Sequence, residues 1–134
     1  MLSQLSIRNL AVMAACDIDL ASGFTVLTGE TGAGKSILVD ALGLILGDRA
    51  DLDQVRSGAE QAEVTATFEL PENSPAQGLL REQALEGDEG ECIIRRVLAR
   101  SGRSKVFVNC RSVPVQTLKE LGEWLVDIHG QGEH

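Results

Sequence analysis

The chain has 134 residues, of which 43% are hydrophobic and 3% aromatic, and its formal net charge is −8 at pH 7. This length and composition fit one domain, or a piece of one, with an aliphatic core, and the charge argues against a surface that binds nucleic acid over its whole extent. No apolar stretch is as long as a membrane span, and the short one before Cys16 is not expected to act as a signal. The cysteines lack a C-x-x-C pair, which indicates reduced thiols, so we expect a cytoplasmic protein.

The first predicted elements are strands. Residues 2–7 alternate apolar and polar side chains, as a half-buried strand does, and residues 14–20 place Cys16 and Ile18 on one face. Asn9 and Leu10 are expected to form the turn between these strands. The run Phe-Thr-Val-Leu-Thr at residues 24–28 predicts a buried strand.

A phosphate-binding motif follows that strand. It matches G-x-x-x-x-G-K-[ST] at every fixed position and consists of Gly29-Glu30-Thr31-Gly32-Ala33-Gly34-Lys35-Ser36. Residues 35–46 are apolar nearly all round, so they predict a helix that is buried on more than one side, and Gly47 suits the left-handed position after its end. The motif therefore has the strand–loop–helix context that a P-loop requires.

The residue types of this motif explain its expected chemistry. Gly29, Gly32 and Gly34 allow successive backbone N–H groups to point inward as an anion-binding nest, and the helix N-terminus adds its positive dipole end. Lys35 would contact the β- and γ-phosphates, and the Ser36 hydroxyl would bind Mg²⁺. The alternative is a glycine-rich turn that only joins the strand to the helix. We interpret the motif as a nucleoside triphosphate site.

The second half of the chain predicts further strands and helices. Residues 48–61 show no regular pattern. In residues 63–70 apolar and polar side chains alternate, which predicts an antiparallel strand with one solvent-exposed face. Ser74, Pro75 and Gln77 are typical of a capped helix start, followed by a short helix to about residue 85. Residues 92–98 and 105–109 predict two strands joined by a turn through Gly102. A helix over residues 115–124 and a last strand over residues 125–128 complete the order.

Basic residues concentrate between residues 95 and 111, a segment without acidic residues: Arg95, Arg96, Arg100, Arg103, Lys105 and Arg111. One interpretation is a solvated hairpin. The other is a patch that contacts the phosphate backbone of DNA.

The element order indicates an α/β protein with α+β character, in which antiparallel strands surround a single P-loop strand–helix unit. Repeated β–α–β crossovers, typical of small kinases, are missing. Asp127 follows a short apolar run and could supply the Mg²⁺-binding carboxylate of a self-sufficient small phosphotransferase. A third possibility is a docking module for DNA or a protein partner that the nucleotide only stabilises.

Several segments resemble the RecN family, the SMC-related bacterial ATPases of DNA double-strand-break repair. The similar segments span nearly the whole chain: Leu5-Ser-Ile-Arg-Asn-Leu10, Leu27 to Ser36, Asp40-Ala-Leu-Gly43, Gly102-Arg-Ser104 and Leu125-Val-Asp-Ile-His-Gly-Gln131. The resemblance implies an ABC-type ATPase head that a long coiled coil divides into two lobes. Residues 1–134 would form the N-terminal lobe, with an antiparallel β-subdomain packed around the P-loop unit.

The resemblance also implies roles for particular residues. Gln131 matches the Q-loop glutamine, which contacts Mg²⁺ and the region of the attacking water, and Asn9 matches a position near the nucleotide. The family usually has His-Glu-His after this glutamine, whereas Gly132-Glu133-His134 stands here. The signature motif and the Walker B carboxylates would lie in a C-terminal lobe outside this chain. Two heads would enclose ATP between them, and DNA would be a partner of a cytoplasmic, nucleoid-associated protein without membrane contact.

Overall fold

The computed structural model describes residues 2–20, 24–29, 34–71, 73–87 and 90–129. Within these ranges the strands are β1 Leu2–Leu10, β2 Met13–Asp19, β3 Phe24–Gly29, β4 Gln61–Glu69, β5 Glu91–Ala99, β6 Ser104–Val108 and β7 Arg111–Val113. They form one sheet in the order β3-β2-β1-β4-β5-β6-β7, and every neighbouring pair is antiparallel. The strand of the phosphate-binding motif is therefore outermost among the described strands.

Three α-helices accompany the sheet within the described ranges: α1 Gly34–Ile45, α2 Pro75–Glu82 and α3 Val115–His129. Helix α1 packs on β1, β4 and β5, while α3 contacts β6 and α2. The predicted start of α2 is confirmed, since the Ser74 hydroxyl accepts a 3.2 Å hydrogen bond from the amide of Gln77. None of the described helices is both long enough and apolar enough to cross a membrane.

The core is aliphatic, as the composition predicts. Strand β4 shows this most clearly: Ala62, Val64, Ala66 and Phe68 are fully buried, and the residues between them are partly exposed. This alternation confirms the predicted strand with one buried face, and helix α1 covers part of that face.

The turn between the first two strands lies later than predicted. Strand β1 continues to Leu10, which pairs with Met13, so the turn consists of Ala11 and Val12. Asn9 lies inside the strand in a left-handed conformation, with a φ of 54°. Leu10 and Met13 are both buried, and burial of this pair explains why the strands extend past the polar Asn9.

Strand β7 was not predicted. Asn109 and Cys110, with φ angles of 50° and 71°, form a two-residue turn between β6 and β7. Two consecutive positive φ angles are typical of the type I′ hairpin turn, for which Asn-Gly is the usual sequence signal. Here cysteine occupies the second turn position instead of glycine, so the usual sequence signal is missing. The predicted turn through Gly102 is present, with a φ of 103°.

The predicted last strand over residues 125–128 is wrong, because α3 continues through this segment to His129. Leu118, Leu121 and Leu125 are buried along one face at helical spacing. A short apolar run at the end of such a stripe does not distinguish a strand from a helix by its pattern. The leucine stripe, which continues to Leu125 at helical spacing, is the better indicator that the helix extends through this segment.

Helix α1 is less enclosed than its composition predicts. Ile37, Ala41, Leu44 and Ile45 are buried against the sheet, but Val39 is 68% exposed. Within the described residues, α1 is therefore covered on one side and leaves an apolar surface on another.

Candidate nucleotide site

The backbone on both sides of the phosphate-binding motif has the arrangement that a P-loop needs. Strand β3 ends at Gly29 and helix α1 begins at Gly34, so the connection spans residues 30–33. Glu30, Thr31, Gly32 and Ala33 lie outside the described residues. The described part confirms the predicted strand before the motif and the predicted helix after it.

Two functional positions occupy the first turn of α1. The backbone of Lys35 lies in this turn, whereas its side chain is outside the described part of the structure. Ser36 is solvent-exposed, so its hydroxyl is accessible to a ligand at the helix N-terminus, where free N–H groups and the helix dipole favour anions. Gln131 also lies outside the described residues.

Asn9 lies at the same end of the sheet as the phosphate-binding motif. Leu10 pairs with Met13, and Met13 in turn pairs with Gly29, so the end of β1 lies two strands from the end of β3. That separation is about 10 Å. The carbonyl oxygen of Asn9 accepts a 2.8 Å hydrogen bond from the amide of Arg56. This bond connects the end of β1 to the segment between α1 and β4.

A buried arginine anchors the other end of α1. Arg96, in β5, is 3% exposed, and its Nη1 donates hydrogen bonds to the carbonyl oxygens of Leu44, at 2.8 Å, and Asp48. A cation is favourable at a helix C-terminus, where carbonyl groups lack helical partners. Burial lowers the pKa of Arg96 while the nearby Asp48 raises it.

Two glycines allow close packing between the end of α1 and α3. A Cβ atom on Gly122 would lie 2.8 Å from the carbonyl oxygen of Leu46, and one on Gly47 would lie 2.6 Å from Cγ of Lys119. Gly47 also has a φ of 107°, which confirms the predicted left-handed position after the helix. The C-terminal end of α1 is thus fixed by both β5 and α3.

The predicted basic patch is only partly a free surface. Arg96 is buried, so its assignment to a DNA-contacting surface is wrong. Arg95 forms an ion pair with Glu63 and lies over the Phe107 ring at 5.2 Å. Arg100 donates hydrogen bonds to the carbonyl oxygens of Val55, Arg56 and Ala59. The patch members that are exposed without such bonds among the described residues are Arg103, Lys105 and Arg111.

The structure contradicts the predicted context of Asp127. This residue lies inside α3 and does not follow a strand, so it is not at the strand end where a P-loop enzyme places its Mg²⁺-binding carboxylate. Its side chain is outside the described part of the chain. The interpretation of this chain as a self-sufficient phosphotransferase loses its main support.

The role of Arg96 as the buried anchor of α1 was missed, because its basic sequence neighbours suggested that it lies on the surface. It lies in a basic cluster, and clustering alone indicates a surface. The available signal was the alternation of β5, where Cys92, Ile94, Arg96 and Leu98 are buried on one face.

Comparisons with known proteins agree with this geometry. The sequence model of a family described as an AAA domain matches residues 4–131. DNA repair protein RecN of Haemophilus influenzae is 50% identical over 133 residues, which cover 98% of this chain and 24% of that relative. RecN of Vibrio cholerae is 48% identical over 135 residues, which cover 100% of this chain and 24% of the relative. The chain thus spans about a quarter of the length of these relatives.

A solved structure shows the same fold at lower sequence identity. It belongs to an SMC ATPase studied for ATP-driven dimerisation and DNA-stimulated activation, and it is 24% identical with a TM-score of 0.64. The superposition covers 90% of this chain and 76% of the other. The predicted class, a lobe of a P-loop ATPase head with an antiparallel sheet, is confirmed. The chain belongs to the AAA domain family and matches, over nearly its whole length, the N-terminal segment of RecN proteins.

Proposed function

We propose that residues 1–134 form the ATP-binding N-terminal lobe of a RecN-like ATPase head that acts in repair of DNA double-strand breaks. The observation that carries this proposal is the complete G-x-x-x-x-G-K-S motif between the end of β3 and the start of α1. The RecN relatives are named as DNA repair proteins, which supports the biological setting. A DNA repair role also favours a cytoplasmic, nucleoid-associated location.

Each proposed site residue has a distinct role toward ATP and Mg²⁺. Backbone N–H groups of residues 29–36 would surround the phosphates, Lys35 would neutralise the β- and γ-phosphates, and Ser36 would bind Mg²⁺. Gln131 would contact Mg²⁺ and the attacking water. Asn9 would approach the nucleotide from the end of β1, two strands from β3, a role supported by its place in the sheet.

The proposal requires a second lobe, because a hydrolytic site needs a carboxylate that helps to hold Mg²⁺. We propose that a C-terminal lobe of the same protein supplies this group and packs beside the outermost strand β3 and the exposed apolar side of α1 at Val39. ATP would then bring two heads together. The SMC relative studied for ATP-driven dimerisation supports this mode of association.

DNA binding is proposed for the exposed cations of the basic cluster, Arg103, Lys105 and Arg111. Phosphate contacts by such residues release counterions, so DNA affinity falls with rising salt. Replacing all three residues with Gln in the complete protein should reduce the salt slope of DNA binding by about 3. An unchanged slope would remove this surface from the proposed DNA interface.

The phosphate assignment is tested by titrating ATP and Mg²⁺ into the chain and into a Lys35→Ala variant. We expect the variant to bind ATP at least about tenfold more weakly, because a charge-assisted contact to phosphate is lost. Arg81→Ala is the matched control, since it removes an exposed cation from α2. Equal ATP affinity in the chain and the Lys35→Ala variant would refute the assignment.

A further inference from the structure

A second cavity lies at the end of α1 opposite the phosphate-binding motif. Its volume is about 470 Å³, within the range of small-molecule sites. Its lining comes from the loop after α1, from β5 to β7 and from the first turns of α3. Since α1 has 12 residues, its two ends are about 18 Å apart. The cavity is therefore separate from the proposed ATP site.

The charge of this cavity is opposite to that of the whole chain. Four basic residues line it, and the described lining residues include no acidic one. The basic residues are Arg49, Arg96, Lys105 and Lys119. The serines Ser104 and Ser112 add hydroxyl groups. In a chain with a net charge of −8, this concentration of cations would attract an anion.

The N-terminus of α3 adds to the positive potential. Pro114 precedes the helix and has no side-chain oxygen that could cap it, and both Pro114 and Val115 line the cavity. The amide of Thr117 donates to the carbonyl oxygen of Pro114 at 3.0 Å, so the N–H groups of Val115 and Gln116 are the ones that a ligand would contact at this positive end of the helix dipole. A helix of 15 residues thus directs its anion-binding end toward the same space as the four cations.

Arg96 provides an independent observation. It lines the cavity while only 3% exposed, and its Nε has no hydrogen-bond partner among the described residues. Its described hydrogen bonds go to the carbonyl oxygens of Leu44 and Asp48, and the nearby Asp48 carboxylate raises its pKa without forming an ion pair with it among the described residues. An anion bound in the cavity would add a second negative charge near this buried cation and stabilise it further.

We propose that this cavity is a second anion site, which binds the phosphate group of a ligand. Lys105, Lys119 and Arg49 contact the phosphate, the N-terminus of α3 donates backbone hydrogen bonds, and Arg96 supplies a fixed positive charge in the wall. Two sources offer this chemistry: a small phosphorylated molecule and the backbone of DNA. Because the site lies at the C-terminal end of α1, a ligand there would stabilise the anchored end of the ATP-binding helix.

The experiment uses the complete protein with Lys35→Ala, so that the P-loop contributes little to phosphate binding. Inorganic pyrophosphate is titrated without Mg²⁺ into this protein and into a version that also carries Arg49→Gln and Lys119→Gln. Both added substitutions change exposed side chains. The control carries Arg8→Gln and Arg81→Gln, which remove equal charge from exposed ion pairs outside the cavity. Thermal unfolding identifies any variant that fails to fold, and Lys105→Gln then replaces it.

We expect the cavity variant to bind pyrophosphate at least about tenfold more weakly than the control. Titration with a short DNA duplex then identifies the source of the phosphate. A fall in DNA affinity, with a salt slope reduced by about 2, assigns the site to the DNA backbone. Unchanged DNA affinity assigns it to a small phosphorylated ligand. Equal pyrophosphate affinity in variant and control would overturn the proposal, whatever the outcome for ATP at the P-loop.

Discussion

Nη1 of Arg96 lies 2.8 Å from the carbonyl oxygen of Leu44, and this hydrogen bond joins the inner strand β5 to the last turn of the helix that carries Lys35 and Ser36. The same nitrogen also donates to the carbonyl oxygen of Asp48, beyond the helix. The orientation of α1, and with it the position of the phosphate-binding motif, therefore depends on a side chain of β5.

Replacement of Arg96 with Met should lower the free energy of unfolding by about 3 kcal/mol, because the buried carbonyl group of Leu44 and the part-buried carbonyl group of Asp48 lose their charged donor. Urea unfolding of the chain measures this loss. Arg95→Met is the matched control, since Arg95 forms a half-exposed ion pair with Glu63 and should lose about 1 kcal/mol or less. Equal losses for the two variants would show that Arg96 does not anchor the helix.

Gly122 and Gly78 should respond in opposite ways to replacement by Ala. A Cβ on Gly122 would lie 2.8 Å from a backbone carbonyl oxygen of Leu46, so α1 and α3 must separate, with a cost of roughly 2 kcal/mol or more. A Cβ on Gly78, in α2, meets nothing within 4 Å, and Ala there should stabilise the chain by up to about 1 kcal/mol. Thermal unfolding of both variants tests the contrast. A stabilising Gly122→Ala substitution would contradict the close packing of α1 and α3.

The three cysteines should differ in reactivity. Cys16 and Cys92 are buried and Cys110 is exposed, and burial raises the pKa of Cys92 to about 12 and also raises that of Cys16. Since the thiolate is the reactive form, a thiol reagent at pH 8 should modify Cys110 rapidly and the other two only after unfolding. Mass spectrometry of the labelled chain identifies the modified positions. Rapid labelling of Cys92 in the folded chain would contradict its buried position in β5.

The ion pair between Arg8 and Asp17 should make a small, pH-dependent contribution to stability. The hydrogen bond from Arg8 lowers the pKa of Asp17, so the stabilisation is present above the unfolded pKa of an aspartate, about 4, and is lost as the pH falls through the lower folded value. Arg8→Gln should flatten the loss of stability between about pH 4 and pH 2. The effect should stay below about 0.5 kcal/mol, because both side chains are half exposed.

Unfolding curves of the chain and the Arg8→Gln variant at several acidic pH values measure this contribution. Arg81→Gln, which removes an exposed cation paired with Glu86, controls for net charge. If both variants changed the acid dependence equally, the effect would come from overall charge and not from the pair.

Local patterns predicted those elements whose fold depends on nearby residues. The phosphate-binding motif, the alternation of β4 and the capped start of α2 at Ser74 each carry a complete signal within about ten residues. Strand β3 and helix α1 on either side of the motif, strand β4 and the start of α2 lie where they were predicted. The boundaries differ by one to three residues: α1 is Gly34–Ile45 where residues 35–46 were predicted, and α2 ends at Glu82 and not near residue 85.

The features that were missed depend on contacts between distant segments or on a turn whose sequence lacks the usual signal. Arg96 bonds to Leu44 and Asp48, about fifty residues away in the chain, and its basic neighbours gave a misleading local signal. Strand β7 exists because Val113 can pair with Val106 across a turn of unusual sequence. The end of α3 was predicted as a strand because a short apolar segment fits either structure until its partner surface is known.

The proposed division of the ATPase site between two lobes is tested by a titration of the purified chain with ATP and Mg²⁺, combined with an assay for phosphate release. We expect ATP binding without steady-state hydrolysis, since the chain carries the P-loop motif while Asp127, the candidate Mg²⁺-binding carboxylate, lies inside α3 and not at a strand end. We expect hydrolysis to appear when a RecN C-terminal lobe is added. Sustained hydrolysis by the chain alone, abolished by Asp127→Ala, would contradict the account. Such a result would identify this chain as a complete small enzyme.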